Sequence, residues 1–385
     1  MEARRWERFH RIALSWLRVN AARLVVDHVE SSGFGQVSHT GLVDHSLTVR
    51  WSRLLHLRSN ETTLAAAPGA LVVAERHSRL VRLDPETGAP LWEQGVEDCW
   101  GTTVVAGELC LYLSQAGVLN CFDMHSGQRS WSTPKLGLHH YISVSGSIAF
   151  LGGWRGYRPL IRVDLANGEP LPGRFPGPAP GSSLAWPLPV CWDPERSTAD
   201  AVLIATANEA ELLLVDARTG AVRGEWALPE PVCFRDSGLA FNAVEDGRIV
   251  FLSGRRTVMA LNPGSGVEVL WQHDRDLPPL PPILTDRTLW LAEDTGITII
   301  DLDRGARTEV VDLPHSATCG GVPVPGGALF ARSGNHLVVV TPTGAIAARV
   351  RLPARTDRLL SDGRTLVHAM GKGHLTTLDV STKLS

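Results

Sequence analysis

The chain has 385 residues, of which 44% are hydrophobic, and its formal net charge is −3. This hydrophobic fraction supports a large buried core and excludes a chain that is disordered throughout. A net charge close to zero gives no overall attraction to nucleic acid or to acidic membranes. We therefore expect a folded protein that binds no nucleic acid.

Residues 1–32 are predicted to form an amphipathic helix, because apolar and basic residues separate at 100° per residue. The apolar face carries Trp6, Phe9, Ala13, Trp16, Leu17 and Leu24. The opposite face carries Arg4, Arg8, Arg11 and Arg18. Arginine interrupts every apolar run, so the sequence predicts neither a signal-peptide core nor a membrane span. Three roles stay open for this helix: packing on its own domain, docking a partner, or lying at a membrane surface.

Residues 33–45 are predicted to be a linker, and residues 46–385 to form the main domain. The domain is marked by a recurring turn, first seen as Asp84-Pro85-Glu86-Thr87-Gly88, with Trp92 four residues later. The aspartate accepts hydrogen bonds from nearby backbone N–H groups, and the glycine adopts the positive φ that closes a hairpin. The tryptophan ring is then placed to cover a neighbouring hairpin.

Copies of the turn recur along the whole domain. They begin at Asp84, Asp123, Asp164, Asp216, Asn262, Asp301, Thr341 and Asp379. The steps between these positions are 39, 41, 52, 46, 39, 40 and 38 residues. Short β-rich segments bounded by glycine, aspartate and serine precede each copy, which gives about four strands per unit. Such a period predicts an all-β, eight-bladed β-propeller of four-stranded antiparallel blades.

The two ends of the domain each lack one part of the repeat. The last copy, at Asp379, has no outer strand after it, whereas 46–57 reads as a lone strand that carries Trp51. We therefore expect 46–57 to complete the last blade and to close the ring, which removes an open sheet edge.

The turn, the tryptophan and the period resemble the pyrroloquinoline-quinone-dehydrogenase-like propeller repeat, with the pattern Ala-x-Asp-x-x-Thr-Gly-x-x-x-Trp. The resemblance covers about residues 46–385 and implies eight blades with tryptophan rings docked between them. The quinone chemistry of those dehydrogenases is not expected, because the chain has no adjacent cysteine pair and no acidic residue that matches their calcium ligands. We expect no cofactor.

One repeat departs from the pattern. The approach to the fourth blade, residues 170–189, contains seven prolines and is predicted to be an extended surface loop, because proline cannot join a central ladder.

Each blade has strands A to D from the axis outward, so its loops fall on two faces. The A–B and C–D turns are short and lie on one face, here called the regular face. The B–C loops and D–A connections lie on the other, here called the irregular face, where we place any binding site because loops on a rigid scaffold carry function. The residues predicted to bind a partner there are Glu97, Trp100, Tyr141, Trp154, Arg235, Arg275, His315 and Arg358.

An enzymatic alternative uses the same face. A candidate acid–base pair lies at the mouth of the central channel of the propeller, formed by His139 or His140 with Asp98 or Asp236. Such a pair would suit a small-molecule lyase or cyclase. No metal site is predicted, since the histidines and cysteines of this face fall in groups that are 40 or more residues apart: Cys99, His139 with His140, Cys233, and His315 with Cys319.

The first functional hypothesis is a non-catalytic scaffold that binds a protein partner through the irregular face, and through the N-terminal helix. Similar stand-alone propellers are subunits of bacterial assemblies. None of the six cysteines forms a Cys-x-x-Cys pair, so no zinc ribbon is expected. Because the sequence predicts no secretory signal, we expect free thiols and a cytoplasmic protein.

Overall fold

A computed structural model describes residues 21–22, 43–56, 64–75, 78–97, 102–137, 139–153, 160–173, 185–190, 192, 199–206, 209–234, 240–243, 247–262, 264–285, 287–313, 316–332, 335–362, 365–371 and 373–384. The predicted helix and linker lie outside these residues, except for Ala21–Ala22 and the last residues before the domain. Ala21–Ala22 forms a short strand, β1, which pairs in parallel with Leu64 and Ala65 at the inner edge of the first blade.

The described residues form eight sheets, which confirms the predicted propeller. Blades 1 to 4 consist of β3 (Leu64–Ala67), β4 (Ala70–Glu75), β5 (Arg79–Leu83) and β6 (Pro90–Gly95); β7 (Thr102–Ala106), β8 (Leu109–Leu113), β9 (Leu119–Asp123) and β10 (Arg129–Ser132); β11 (His139–Ser145), β12 (Ile148–Gly153) and β13 (Ile161–Asp164); and β14 (Leu188–Val190), β15 (Ala201–Ala205), β16 (Glu211–Asp216) and β17 (Val222–Ala227).

Blades 5 to 8 consist of β18 (Asn242–Ala243), β19 (Ile249–Ser253), β20 (Thr257–Asn262) and β21 (Gly266–Gln272); β22 (Ile283–Thr285), β23 (Thr288–Ala292), β24 (Gly296–Asp301) and β25 (Ala306–Asp312); β26 (Val322–Val324), β27 (Gly327–Arg332), β28 (His336–Val340) and β29 (Ile346–Arg351); and β30 (Arg358–Ser361), β31 (Leu366–Gly371), β32 (His374–Leu384) and β2 (Val43–Leu54).

The strand sequences follow their depth in the blade. Every side chain of β4, a B strand, is buried, because a strand in the middle of a blade is covered by a neighbouring blade on each face. In β6, an outer strand, only Trp92 is buried. Seven apolar clusters each join neighbouring blades and together pass around the ring, including one that joins blade 8 to blade 1.

The ring closes as predicted. β2 pairs antiparallel with β32, with Val49 opposite Leu378 and a bulge between Val49 and Trp51. The outer strand of blade 8 therefore comes from the start of the domain, and the other three strands come from its end.

Tryptophan side chains on the outer strands of several blades hydrogen-bond to the C–D turn of the next blade. The indole N–H groups of Trp51, Trp92 and Trp131 donate to the carbonyl oxygens of Pro85, Met124 and Leu165, at 2.9, 2.7 and 2.9 Å. In each case the acceptor directly follows the turn aspartate of the next blade. Because Trp51 lies on β2, the junction between blades 8 and 1 has the same hydrogen bond as the junctions between blades 1 and 2 and between blades 2 and 3.

The turn glycine is needed for two reasons. Gly127 has a φ of 71°, a region that favours glycine, and a Cβ built on it would lie 2.7 Å from the ring of Trp92. The glycine thus allows both the turn and the close approach of the indole.

Blade 3 departs from four strands. Its described part holds three strands and a single bridge between Val163 and Pro170. Proline has no N–H to extend a ladder, and a second proline follows at 172, so the outer strand ends after one residue pair. Residues 174–184, most of the predicted proline-rich loop, lie outside the described part.

Candidate functional site

Turn aspartates of the regular face are held by hydrogen bonds within their own blade. Asp123 Oδ1 accepts hydrogen bonds from the backbone N–H and the hydroxyl of Ser126, both at 2.7 Å, and these bonds lower the pKa of Asp123. Burial raises the pKa of Asp216, but hydrogen bonds from Thr219 and Arg223 outweigh it and lower the pKa to about 2. Both carboxylates accept hydrogen bonds from residues of their own turn or outer strand. These aspartates therefore have a structural role.

The irregular face holds buried charged or titratable groups at strand ends. Glu75 and Arg332 are the last residues of B strands, His273 follows a D strand, and Arg358 begins an A strand. Their exposed fractions are 1%, 2%, 5% and 3%, respectively. Buried charges are costly unless they are paired, so the partners of each group decide its role.

Glu75 is fully compensated by Arg53 of the closing strand. Arg53 Nε donates to Glu75 Oε2 at 3.1 Å and Arg53 Nη2 donates to Glu75 Oε1 at 3.0 Å. This forked geometry is the strong form of a carboxylate–guanidinium pair. The pair joins blade 8 to blade 1 and is part of the seam.

His273 lies beside Glu293 of blade 6, although its Nε2 atom makes no hydrogen bond. The Nε2 atom of His273 lies 3.3 Å from Glu293 Oε1, and Arg307 Nη2 lies 3.7 Å from the same oxygen. The hydroxyl of Thr298 also donates to Glu293 Oε1. This carboxylate links the end of blade 5 to blade 6 and has three polar neighbours.

Arg332 differs, because its charge has little compensation. Its Nε and Nη1 atoms make no hydrogen bond, and its Nη2 atom lies 3.4 Å from the backbone carbonyl of Asp294. Burial lowers the pKa of Arg332 to about 10, against a smaller opposing effect of Asp294. Two of the three guanidinium nitrogens of Arg332 are therefore buried without a hydrogen bond.

Arg358 lies near the axis in the neighbouring blade. Burial lowers the pKa of Arg358 to about 9, partly opposed by Asp357 and Cys319. Two residues before Arg358, the backbone carbonyl of Thr356 accepts a hydrogen bond from the hydroxyl of Thr318. This bond joins the inner parts of blades 7 and 8.

The residues predicted to bind a partner are spread around the ring. Glu97 and Arg275 are exposed, Arg358 is buried, and Tyr141 is buried with its ring 4.9 Å from that of Trp186. These four belong to different blades and do not form one cluster. Trp100, Trp154, Arg235 and His315 lie outside the described residues.

The predicted acid–base residues lie outside the part of the chain whose side chains the structure describes. His139 and His140 lie on β11, but their side chains, like Asp98 and Asp236, are outside the described part. Within that part, no group of three histidine, cysteine or acidic residues is placed to hold a metal ion.

Sequence reasoning missed Arg332 and Glu75. Each ends an apolar B strand, Gly327–Arg332 or Ala70–Glu75. A charge at the last position of a strand that is otherwise fully apolar was the available signal.

The fold and these loops define a class: eight-bladed β-propellers with a regular face and an irregular face. The chain belongs to the family of PQQ-like propellers whose sequence model is described as outer membrane protein assembly factor BamB, with residues 6–171 and 181–312 matched. The resemblance seen in the sequence is thereby confirmed.

Solved structures share the fold. The chain is similar to BamB from Moraxella catarrhalis, with 14% identity, a TM-score of 0.66, and coverage of 87% of this chain and 100% of that one. It is also similar to the computationally designed Ika8 protein, with 12% identity, a TM-score of 0.62, and coverage of 86% and 100%.

A third similar structure is the dihydro-heme d1 dehydrogenase NirN in complex with DHE, with 14% identity, a TM-score of 0.59, and coverage of 87% and 80%. No curated protein matches the sequence. Among the described residues there is no helix long and apolar enough to cross a membrane.

Proposed function

We propose that this protein is a non-catalytic scaffold that binds a protein partner through its irregular face, with the N-terminal segment 1–32 taking part. The observation that carries the proposal is the buried guanidinium of Arg332, which lies on this face and leaves two nitrogens without partners. Local violations of good packing in a stable fold mark functional sites more often than structural ones.

The contrast between the faces supports the proposal. The turn aspartates of the regular face are held by hydrogen bonds inside their own blade, as for Asp123 and Asp216. On the irregular face, Arg332 lacks such bonds, and exposed ionic residues such as Glu97 and Arg275 are available for contact with a partner. The family description, an assembly factor, is compatible with a binding role, which we propose by analogy alone.

We also propose a cytoplasmic location. Cys110, Cys121, Cys233 and Cys319 are free thiols, as expected in a reducing compartment. The measurement is cell fractionation of the source cells, and recovery of the protein with the membrane or periplasmic fraction would overturn this location.

Site-specific photo-cross-linking tests the binding face. A photoreactive amino acid is placed at Glu97 or Arg275 on the irregular face, and at the exposed regular-face positions Ser126 or Arg304 as matched controls. We expect a common cross-linked protein from the first two positions and none from the controls. Cross-links from the control positions alone, or from no position, would contradict the proposal.

A further inference from the structure

Three basic side chains form a row across blade 7 at its irregular end. Arg332 on β27 lies opposite His336 on β28, and His336 lies opposite Arg351 on β29. Directly opposed residues of neighbouring strands point to the same side of a sheet. The row therefore runs from the interior of the ring to its outer rim on one side of the blade.

This side faces blade 6. Phe330 and Val338, which precede Arg332 and follow His336 by two residues, pack in one cluster with Ile297 and Ile299 of blade 6. Residues two apart in a strand share a side, so the basic row lies at the open end of the same interface. Asp294, at the B–C loop of blade 6, is the acidic neighbour that affects Arg332.

Exposure rises steadily along the row. Arg332 is buried, His336 is half-buried and Arg351 is exposed. Arg351 makes no ion pair in the described part of the chain, and neither does the exposed Arg349 two residues earlier. Arg332 and Arg351, at the two ends of the row, carry like charges, and like charges on one side of a sheet do not stabilise it.

We propose that this row, here called the basic row (Arg332, His336 and Arg351), binds an extended acidic segment of the partner protein. The inference rests on the proposed function and names the chemistry of the partner. The buried charge of Arg332 raises the positive potential at the inner end, because a low-dielectric surrounding screens it weakly. His336 and Arg351 then contact the carboxylates.

The spacing favours a peptide over a single phosphate. Adjacent strands lie about 4.8 Å apart, so the Cα atoms of Arg332 and Arg351 are about 10 Å apart. Alternate side chains of an extended chain are separated by about 7 Å, so two carboxylates of one segment reach this row. A lone phosphate group spans only one end of it.

Fluorescence anisotropy with the full chain tests the inference. The probe is a labelled peptide of alternating glutamate and glycine, and the matched probe has glutamine in place of glutamate. We expect the acidic probe to bind and to weaken with added salt, and the glutamine probe not to bind. Equal binding of both probes would overturn the proposal.

Variants locate the site. Arg351→Glu is expected to weaken the acidic probe at least about tenfold, which is about 1.4 kcal/mol, whereas Arg129→Glu, on the exposed outer strand of blade 2, leaves it unchanged. Arg332→Met is expected to weaken binding while raising the thermal midpoint. An Arg351→Glu protein with unchanged affinity would overturn the assignment.

Two further outcomes separate the possible failures. If inorganic polyphosphate binds in an Arg351-dependent manner and the acidic peptide does not, the peptide assignment is wrong. If the Arg351→Glu protein still cross-links its partner from Glu97 and Arg275 and also keeps its affinity for the acidic probe, the scaffold proposal holds and the acidic-segment proposal falls.

Discussion

The two faces of this propeller are built from the same repeat but treat charge differently. On the regular face, a turn carboxylate such as that of Asp123 is satisfied by residues three positions away. On the irregular face, charged side chains meet groups from another blade, as Glu75 meets Arg53, or are left with little compensation, as Arg332 is. The comparison teaches that turn carboxylates of the regular face are held locally, whereas the charges at strand ends of the irregular face depend on the neighbouring blade.

The largest expected effect is the loss of stability when a docked tryptophan on the regular face is removed. Trp92→Ala should lower the free energy of unfolding by about 3–5 kcal/mol, because it empties a buried site and removes the hydrogen bond to Met124. The measurement is a denaturant melt. Leu91→Ala, at an exposed neighbouring position, is the control and should cost under about 0.5 kcal/mol. A Trp92→Ala cost below about 1 kcal/mol would mean that docking does not hold the blades.

A second change separates turn geometry from docking. Gly127→Ala should destabilise by about 2–4 kcal/mol, because the new Cβ adds a clash with Trp92 to the strain of a positive φ. Gly146→Ala has a φ of 53° and no atom within 4 Å of the new Cβ, so it should cost only about 1–2 kcal/mol. Equal losses in thermal or denaturant melts would show that the indole moves aside freely.

Removal of a poorly compensated charge from the irregular face should instead raise stability. Arg332→Met should raise the free energy of unfolding by about 1–3 kcal/mol, since it removes a buried charge that lacks adequate partners. Arg53→Met, which orphans the buried carboxylate of Glu75, should lower it. A destabilised Arg332→Met protein would show that the guanidinium supports the fold.

The smallest expected effect is on pH dependence. The folded-state pKa of Asp216 is lowered to about 2, from an unfolded value of about 3.9, so its stabilisation is present above about pH 4 and is lost as pH falls through about 2. Asp216→Asn should flatten the fall in the free energy of unfolding across this range, followed by denaturant melts at several pH values. Glu268→Gln, at an exposed position, should leave the slope unchanged.

The fold was predictable because its signals are local. The turn at Asp84 and Gly88, followed by Trp92, specifies a hairpin and a docking ring within nine residues, and its repetition specifies a propeller. The unpaired strand at Trp51 and the incomplete copy at Asp379 predicted the seam, which the pairing of Val49 with Leu378 confirms.

The candidate site was predictable only in part. The irregular face stays a prediction, based on the irregularity of its loops. The binding residues were predicted from residue type, and two of them, Tyr141 and Arg358, are buried. Whether a charge is buried and paired depends on the neighbouring blade, which lies about 40 residues away in the chain.

The sequence by itself determined the number of blades, the regular turns and the strand that closes the ring, because hydrogen bonds and side-chain periodicity within each repeat decide them. Only the tertiary structure decided which charges are compensated. Arg332 and Arg53 look alike in the sequence, yet one faces a backbone carbonyl of blade 6 and the other a carboxylate of blade 1. That difference arises from the packing of one blade on the next, where burial weakens solvent screening and makes each partner count.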